Sequence, residues 1–144
     1  TLLSMVACEA AVGLRVAFFI FGTDYPTADG TGVRDYIHVE DLAGAHVKAL
    51  DHLRQGGDSS ILNCGYGHGY SVRELLKSVE KANGAPLNII EAARRAGDPP
   101  ELVAGADKVR EVLGWTPQYD DLSIIASSAL AWEKKQLAAP WSNE

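Results

Sequence analysis

The chain has 144 residues with 13 Lys and Arg against 19 Asp and Glu, a formal charge of −6, and 47% hydrophobic residues. That length allows one domain with a real core, the apolar content argues against a disordered chain, and an acidic chain without a Lys/Arg run is no partner for nucleic acid or an anionic membrane. No apolar run approaches the roughly 20 residues that cross a bilayer, and Cys8 and Cys64, far apart in sequence, read as two buried thiols of a reduced cytoplasmic chain rather than a disulfide. The start, Thr1 to Cys8, lacks a positively charged region before its apolar residues and so makes a poor signal peptide. It also lacks an initiator Met and reads as a chain cut from something longer.

Taken in order, Leu2 to Val12 has the small, apolar character of a helix packed on several sides, with Gly13 placed to end it. Val16 to Phe21 is a β-branched and aromatic run, read as a strand. Gly22 to Gly32 is a loop, since its glycines, Pro26 and the Asp29-Gly30 pair forbid a regular element. Val33 to Val39 alternates as a strand, with Arg34, Tyr36 and His38 on one face and Val33, Asp35, Ile37 and Val39 on the other. Glu40 or Asp41 can cap a helix to about Leu53, with Leu42, Ala45, His46, Ala49, Leu50 and Leu53 at helical spacing. Gln55 to Ser60 is an exposed turn, Ile61 to Cys64 a short buried strand, and Gly65 to Tyr70 a tight turn. Ser71 with Glu74 forms a capping box for a helix whose apolar face is Val72, Leu75, Leu76 and Val79 and which ends near Asn83-Gly84. Leu87 to Glu91 is a strand and Arg94 to Pro100 a polar loop. Asp107 to Leu113 is a short helix closed by Gly114. Leu122 to Lys135 is a last amphipathic helix before a frayed tail over 138–144. Short strands alternating with helices predict an α/β fold.

Several groupings carry chemistry. A cation and a phenol, Arg34 and Tyr36, leave one side of a short strand beside a glycine-rich loop, a geometry suited to an anion or sugar-phosphate. Arg95 stands in a loop built by Gly97, Pro99 and Pro100, and two guanidinium groups suit a diphosphate because each offers paired donors to phosphate oxygens. Asp98 can accept from ribose hydroxyls. Gly65-x-Gly67-x-Gly69 lies between a predicted strand and a helix, but its third glycine falls one residue early for a dinucleotide fingerprint, and a plain strand-to-helix turn is the simpler reading. His46 and His52 sit on nearly opposite faces of their helix and cannot chelate together. His38 is read as a satisfied packing histidine, so no metal is assigned. Trp115 and Trp132 read as core anchors.

Phe21-Gly22-Thr23-Asp24-Tyr25-Pro26-Thr27, Asp29-Gly30-Thr31, Arg34-Asp35-Tyr36-Ile37-His38-Val39 and Asp41-Leu42-Ala43 closely resemble the bacterial UDP-glucose 4-epimerases, of the extended short-chain dehydrogenase class. The likeness continues through Asn63 to Val72, Arg94 to Asp98 and Leu113 to Pro117. It implies the C-terminal part of a Rossmann-type enzyme, including its small substrate-binding domain. It also implies that the matches to Arg34 and Arg95 hold the nucleotide diphosphate and the match to Asp98 the ribose. Phe21, Tyr36 and Val72 match positions lining the nucleotide and sugar pocket. The resemblance further implies NAD as cofactor of the complete enzyme, a UDP-sugar substrate, and a complete enzyme able to pair as a homodimer. Epimerase chemistry in the family uses a Tyr-x-x-x-Lys pair, and none of Tyr25, Tyr36, Tyr66, Tyr70 or Tyr119 has Lys four residues later. The family's N-terminal glycine fingerprint is missing too, so the resemblance predicts a nucleotide-sugar grip without catalytic residues or a cofactor site. Two rivals share the scaffold or its grip: a nucleotide-sugar dehydratase or decarboxylase, and a non-catalytic nucleotide-sugar-binding fragment.

Overall fold

The computed structural model describes residues 2–138; of the tail expected over 138–144, Ala138 closes the last helix and 139–144 lie outside the described residues. The described residues form five helices and five short strands, interspersed along the chain. Helix α1 (Leu3–Ala11) leads to β1 (Phe18–Phe21), β2 (Val33–Arg34), α2 (Val39–Arg54), β3 (Tyr70–Ser71) and α3 (Val72–Asn83). Strands β4 (Ile89–Ala92) and β5 (Glu101–Leu102) precede α4 (Asp107–Leu113) and α5 (Leu122–Ala138). The predicted α/β class is therefore observed.

The strands form two small sheets. In one, β1 pairs in parallel with β4, from Phe18 opposite Ile89 to Phe21 opposite Ala92. In the other, β2 is flanked by antiparallel β3 and parallel β5, with Val33 opposite both Ser71 and Glu101. Alternation puts Phe18 and Ile20 into the core while Phe19 and Phe21 stay partly exposed.

The core sits where α1, α3 and α5 meet the inner face of β1. Ala7 and Cys8 from α1, Leu75, Leu76 and Val79 from α3, and Ala126 and Leu130 from α5 are all buried there. Helix α3 starts as its spacing predicts: the Ser71 hydroxyl accepts from the Glu74 N–H at 3.1 Å, and the Glu74 carboxylate accepts from the Ser71 N–H at 2.7 Å. Each bond satisfies an amide that the first helical turn leaves without a partner.

Several expectations are corrected. The strand at Val33 to Val39 shrinks to two residues, because the Asp35 carboxylate takes the Ala104 N–H at 3.2 Å and the Tyr66 hydroxyl takes the His38 N–H at 3.0 Å in place of ladder partners. His38, not Glu40 or Asp41, caps α2, its Nδ1 accepting from the Glu40 N–H at 3.2 Å. Asp41 is instead buried at 4% exposure, whereas Leu50 and Leu53 of the expected apolar stripe lie about half exposed. Ile61 to Cys64 is no strand: no described strand runs alongside it, Ile61 is 91% exposed and Cys64 is only half-buried. Strand β3 falls at the end of the predicted turn, and β5 follows the Arg94 to Pro100 loop, where no element was expected. Trp115 is buried with its indole N–H donating to the Asp41 carbonyl at 3.0 Å, but Trp132 is 49% exposed and anchors no core. No described helix is long and apolar enough to cross a membrane.

Candidate functional site

One cleft of about 400 Å³ is lined by Phe21, Arg34, Tyr36, Val72, Arg95 and Asp98 together. These six come from four separate stretches. Phe21 ends β1, Arg34 ends β2, Tyr36 follows it, Val72 opens α3, and Arg95 and Asp98 stand in the loop after β4. The two sheets thus deliver both cations to the same hollow. The alternation expected for this segment is not kept, since Asp35 and Ile37 line the cleft with Arg34 and Tyr36. His38 turns away to bond Ser128 through Nε2 at 2.9 Å and to stack on Tyr119, a satisfied packing histidine.

Arg95 is held from two sides. Its guanidinium lies 4.4 Å over the Phe21 ring, and its Nε donates to Asp98 Oδ2 at 3.1 Å. Use of Nε leaves the paired terminal Nη donors for an oxyanion. Arg34 lies back along its own strand, Nη1 donating to the Val33 carbonyl at 2.7 Å, in space left open by Gly32, where an added Cβ would come within 3.2 Å of the guanidinium. Two carboxylates balance these cations. Asp35 is committed to the Ala104 amide and Asp98 to Arg95, so the four charges form a mixed surface suited to a ligand with both anionic and hydroxyl groups.

Tyr36 is 8% exposed and its hydroxyl lacks a hydrogen-bond partner among the described residues. Burial pushes its phenol well above the ordinary value; Glu74 adds to the shift and Arg34 opposes it. Tyr25 lines the same cleft, buried, and its hydroxyl is likewise without a partner. The sequence places it in the motif that carries the resemblance but not among the candidate site residues. Its signal was its place in the Asp24-Tyr25-Pro26 turn, which by itself reads only as a turn.

The glycine-rich segment Gly65 to Gly69 does not form a dinucleotide cradle. It leads into β3, and the start of α3 is already occupied by the Glu74 carboxylate and by Asp29, which accepts from the Ser71 hydroxyl. The Val72, Arg73 and Glu74 amides are spent on the Gly32 carbonyl and the Thr31 and Ser71 hydroxyls, so that helix start has none left to cradle a pyrophosphate. Among the described residues no group of three or more His, Cys, Asp or Glu side chains is placed to hold a metal ion. Further hollows adjoin the site: one of about 480 Å³ shares Phe21 and Arg95, one of about 400 Å³ shares Arg34 and Asp35, and an apolar groove of about 570 Å³ runs past Met5, Val39 and Trp132.

Comparison with known proteins relates these residues to a family. Residues 1–65 match the model of the NAD dependent epimerase/dehydratase family. The chain is 58% identical over 134 residues to the UDP-glucose 4-epimerase of Azospirillum brasilense, covering 93% of this chain and 38% of that protein. It is 55% identical to the UDP-glucose 4-epimerase of Rhizobium meliloti, over 91% of this chain and 40% of the relative. Among solved structures, the UDP-Glc/GlcNAc 4-epimerase of Campylobacter jejuni superposes with a TM-score of 0.86 at 48% identity, covering 92% of this chain and 40% of that one. The UDP-glucose 4-epimerase of Bifidobacterium longum, solved with NAD+ and UDP, superposes with a TM-score of 0.86 at 41% identity, over 94% and 40% of the two chains. The chain spans about two fifths of the length of these relatives. Over more than nine tenths of its own length the chain is similar to UDP-glucose 4-epimerases.

Proposed function

We infer that this chain is the nucleotide-sugar grip of a UDP-glucose 4-epimerase. Arg34 and Arg95 hold the diphosphate, Asp98 accepts from the ribose hydroxyls, and Phe21, Tyr36 and Val72 line the nucleotide and sugar pocket. The observation that carries this reading is the meeting of all six residues on one cleft. Extended to the whole protein, the activity is interconversion of UDP-glucose and UDP-galactose by oxidation and re-reduction at the sugar's C4. NAD supplies the hydride exchange when bound; the Gly65 to Gly69 segment forms no cradle for it, and no step of that exchange is assigned to the residues described here. The chain by itself is therefore inactive in epimerisation. Holding the substrate by its diphosphate fixes one end while the hexose stays free to turn, so the binding contacts lie remote from the reacting carbon. Two unpaired thiols, Cys8 and Cys64, fit a reduced cytoplasmic setting. Pairing of the whole protein as a homodimer follows from the resemblance alone and is read by sedimentation of the full-length enzyme.

The test is titration of this chain with UDP, with NAD in parallel. Saturable binding of UDP and none of NAD is expected. Arg95→Ala should cost about 1.5–3 kcal/mol, roughly ten- to a hundredfold or more in affinity, because it removes charge-assisted bonds to phosphate. Unchanged UDP affinity in Arg95→Ala would refute the assignment.

A further inference from the structure

Arg94, the neighbour of Arg95, grips the segment after β1 by three contacts. Its Nε donates to Asp24 Oδ1 at 2.6 Å, its Nη2 donates to the Asp24 carbonyl, and its guanidinium lies 4.2 Å over the Tyr25 ring. The neighbouring pair repeats the arrangement, with Arg95 over Phe21 at 4.4 Å. Two consecutive arginines of one loop therefore stack on Phe21, the last residue of β1, and on Tyr25 in the loop that follows it. Gly22 makes room for this: a Cβ there would fall 2.6 Å from both Arg94 Cγ and Tyr25 Cε2. Arg94 also holds the Asp24 carboxyl below its ordinary value by its hydrogen bond.

An exposed ion pair alone contributes little. Here, however, the same guanidinium bonds a carboxylate and a main-chain carbonyl while lying on a ring, which fixes both its position and its plane. We propose that Asp24, Tyr25 and Arg94 form a clamp that fixes the loop carrying Arg95 against the end of β1, so that Arg95 meets a diphosphate already in place. Arg94 is thus a positioning residue acting through Arg95. This rests on the reading of the cleft as a nucleotide diphosphate site. Without the clamp, Arg95 and its loop must be ordered as the ligand binds, at the cost of roughly one long side chain's freedom.

The experiment titrates UDP and uridine into the wild-type chain and into Arg94→Ala, Arg94→Lys, Arg95→Ala and the Arg94→Ala/Arg95→Ala double variant. Arg94→Ala should weaken UDP about three- to tenfold and leave uridine, which has no phosphate, unchanged. Arg94→Lys keeps the charge but not the fork, and should behave like Arg94→Ala. In the Arg95→Ala background, Arg94→Ala should have no further effect on UDP. Three results overturn the clamp while leaving the site reading intact: unchanged UDP affinity in Arg94→Ala, equal weakening of UDP and uridine, or an additive loss in the double variant. Absence of saturable UDP binding by the wild-type chain overturns the site reading and the clamp with it.

Discussion

The guanidinium of Arg95 lies 4.4 Å over the ring of Phe21, joining the loop after β4 to the last residue of β1. These strands pair in parallel with Phe21 opposite Ala92, so the contact lies where the sheet ends and both chains leave it. Phe21 serves both as a wall of the cleft and as a platform for the cation that faces it.

Phe21→Leu should therefore weaken UDP binding more than its lost area implies. A cation–π contact at a partly exposed site contributes about 0.5–1 kcal/mol, so an affinity loss of about two- to fivefold is expected. Calorimetric titration of the two proteins measures it. An unaltered dissociation constant would mean that the ring does not help to hold Arg95.

Asp41 is the site where substitution should most affect the fold. Its buried carboxylate accepts from the Tyr66 hydroxyl at 2.6 Å, the Gln118 N–H at 2.8 Å and the Tyr119 N–H at 2.9 Å. Asparagine has the same shape but one acceptor oxygen, so its NH2 group would face at least one of these donors. Asp41→Asn should destabilise by about 2–3 kcal/mol, with a lower urea midpoint at constant slope. A midpoint equal to wild type would show that this network contributes nothing.

Asp41 also shows where sequence reading runs out. Ser71 and Glu74 were legible as a cap because both partners lie within one turn, and Leu75, Leu76 and Val79 because helical spacing is local. The donors to Asp41 lie 25, 77 and 78 residues away, which nothing near position 41 announces. Ile61 to Cys64 misled for the same reason: an apolar run becomes a strand only beside a partner strand. Arg34, Arg95 and Asp98 were legible as candidates because irregular motifs carried the family resemblance. The role proposed for Arg94 depends on how two loops face each other, and the Arg94-Arg95 doublet does not say which arginine turns which way.

Stability should fall at both ends of the pH range for separate reasons. At Asp29 burial raises the carboxyl, but hydrogen bonds from Ser71 and Thr31 outweigh it and leave the group below its ordinary 3.8; Arg94 lowers Asp24, and Ser123 lowers Asp121. The unfolded chain takes up these protons first, so the contribution is present above about pH 3.8 and is lost as pH falls through the lowered folded values. Burial raises the Tyr36 and Tyr66 phenols from 10, helped at Tyr66 by its bond to Asp41. Here the folded state keeps its protons longer, so that contribution is full below pH 10 and is lost as pH rises past it. Urea midpoints from pH 2 to 11 would trace both limbs. Asp29→Asn should flatten the acid limb and Tyr36→Phe the alkaline one; an alkaline limb unchanged in Tyr36→Phe would remove that phenol from the account.

Gly30 is required twice over, by conformation and by space. Its φ of +81° lies in the left-handed region, and a Cβ would stand 2.1 Å from the Thr23 carbonyl oxygen. That carbonyl cannot retreat freely, because the turn is closed by the Tyr25 N–H donating to the Gly30 carbonyl at 2.9 Å. Gly67 offers a control, with a similar φ of +85° but no atom within 4 Å of an added Cβ. Gly67→Ala should therefore cost only the conformational part, about 1–2 kcal/mol. Gly30→Ala should exceed it, and because the shifted turn carries Asp24 and Tyr25, it should also weaken UDP binding where Gly67→Ala does not. Thermal unfolding and UDP titration of the two variants side by side separate the effects. Equal destabilisation with equal affinity would show that the space at Gly30 is not needed to hold the loop in place.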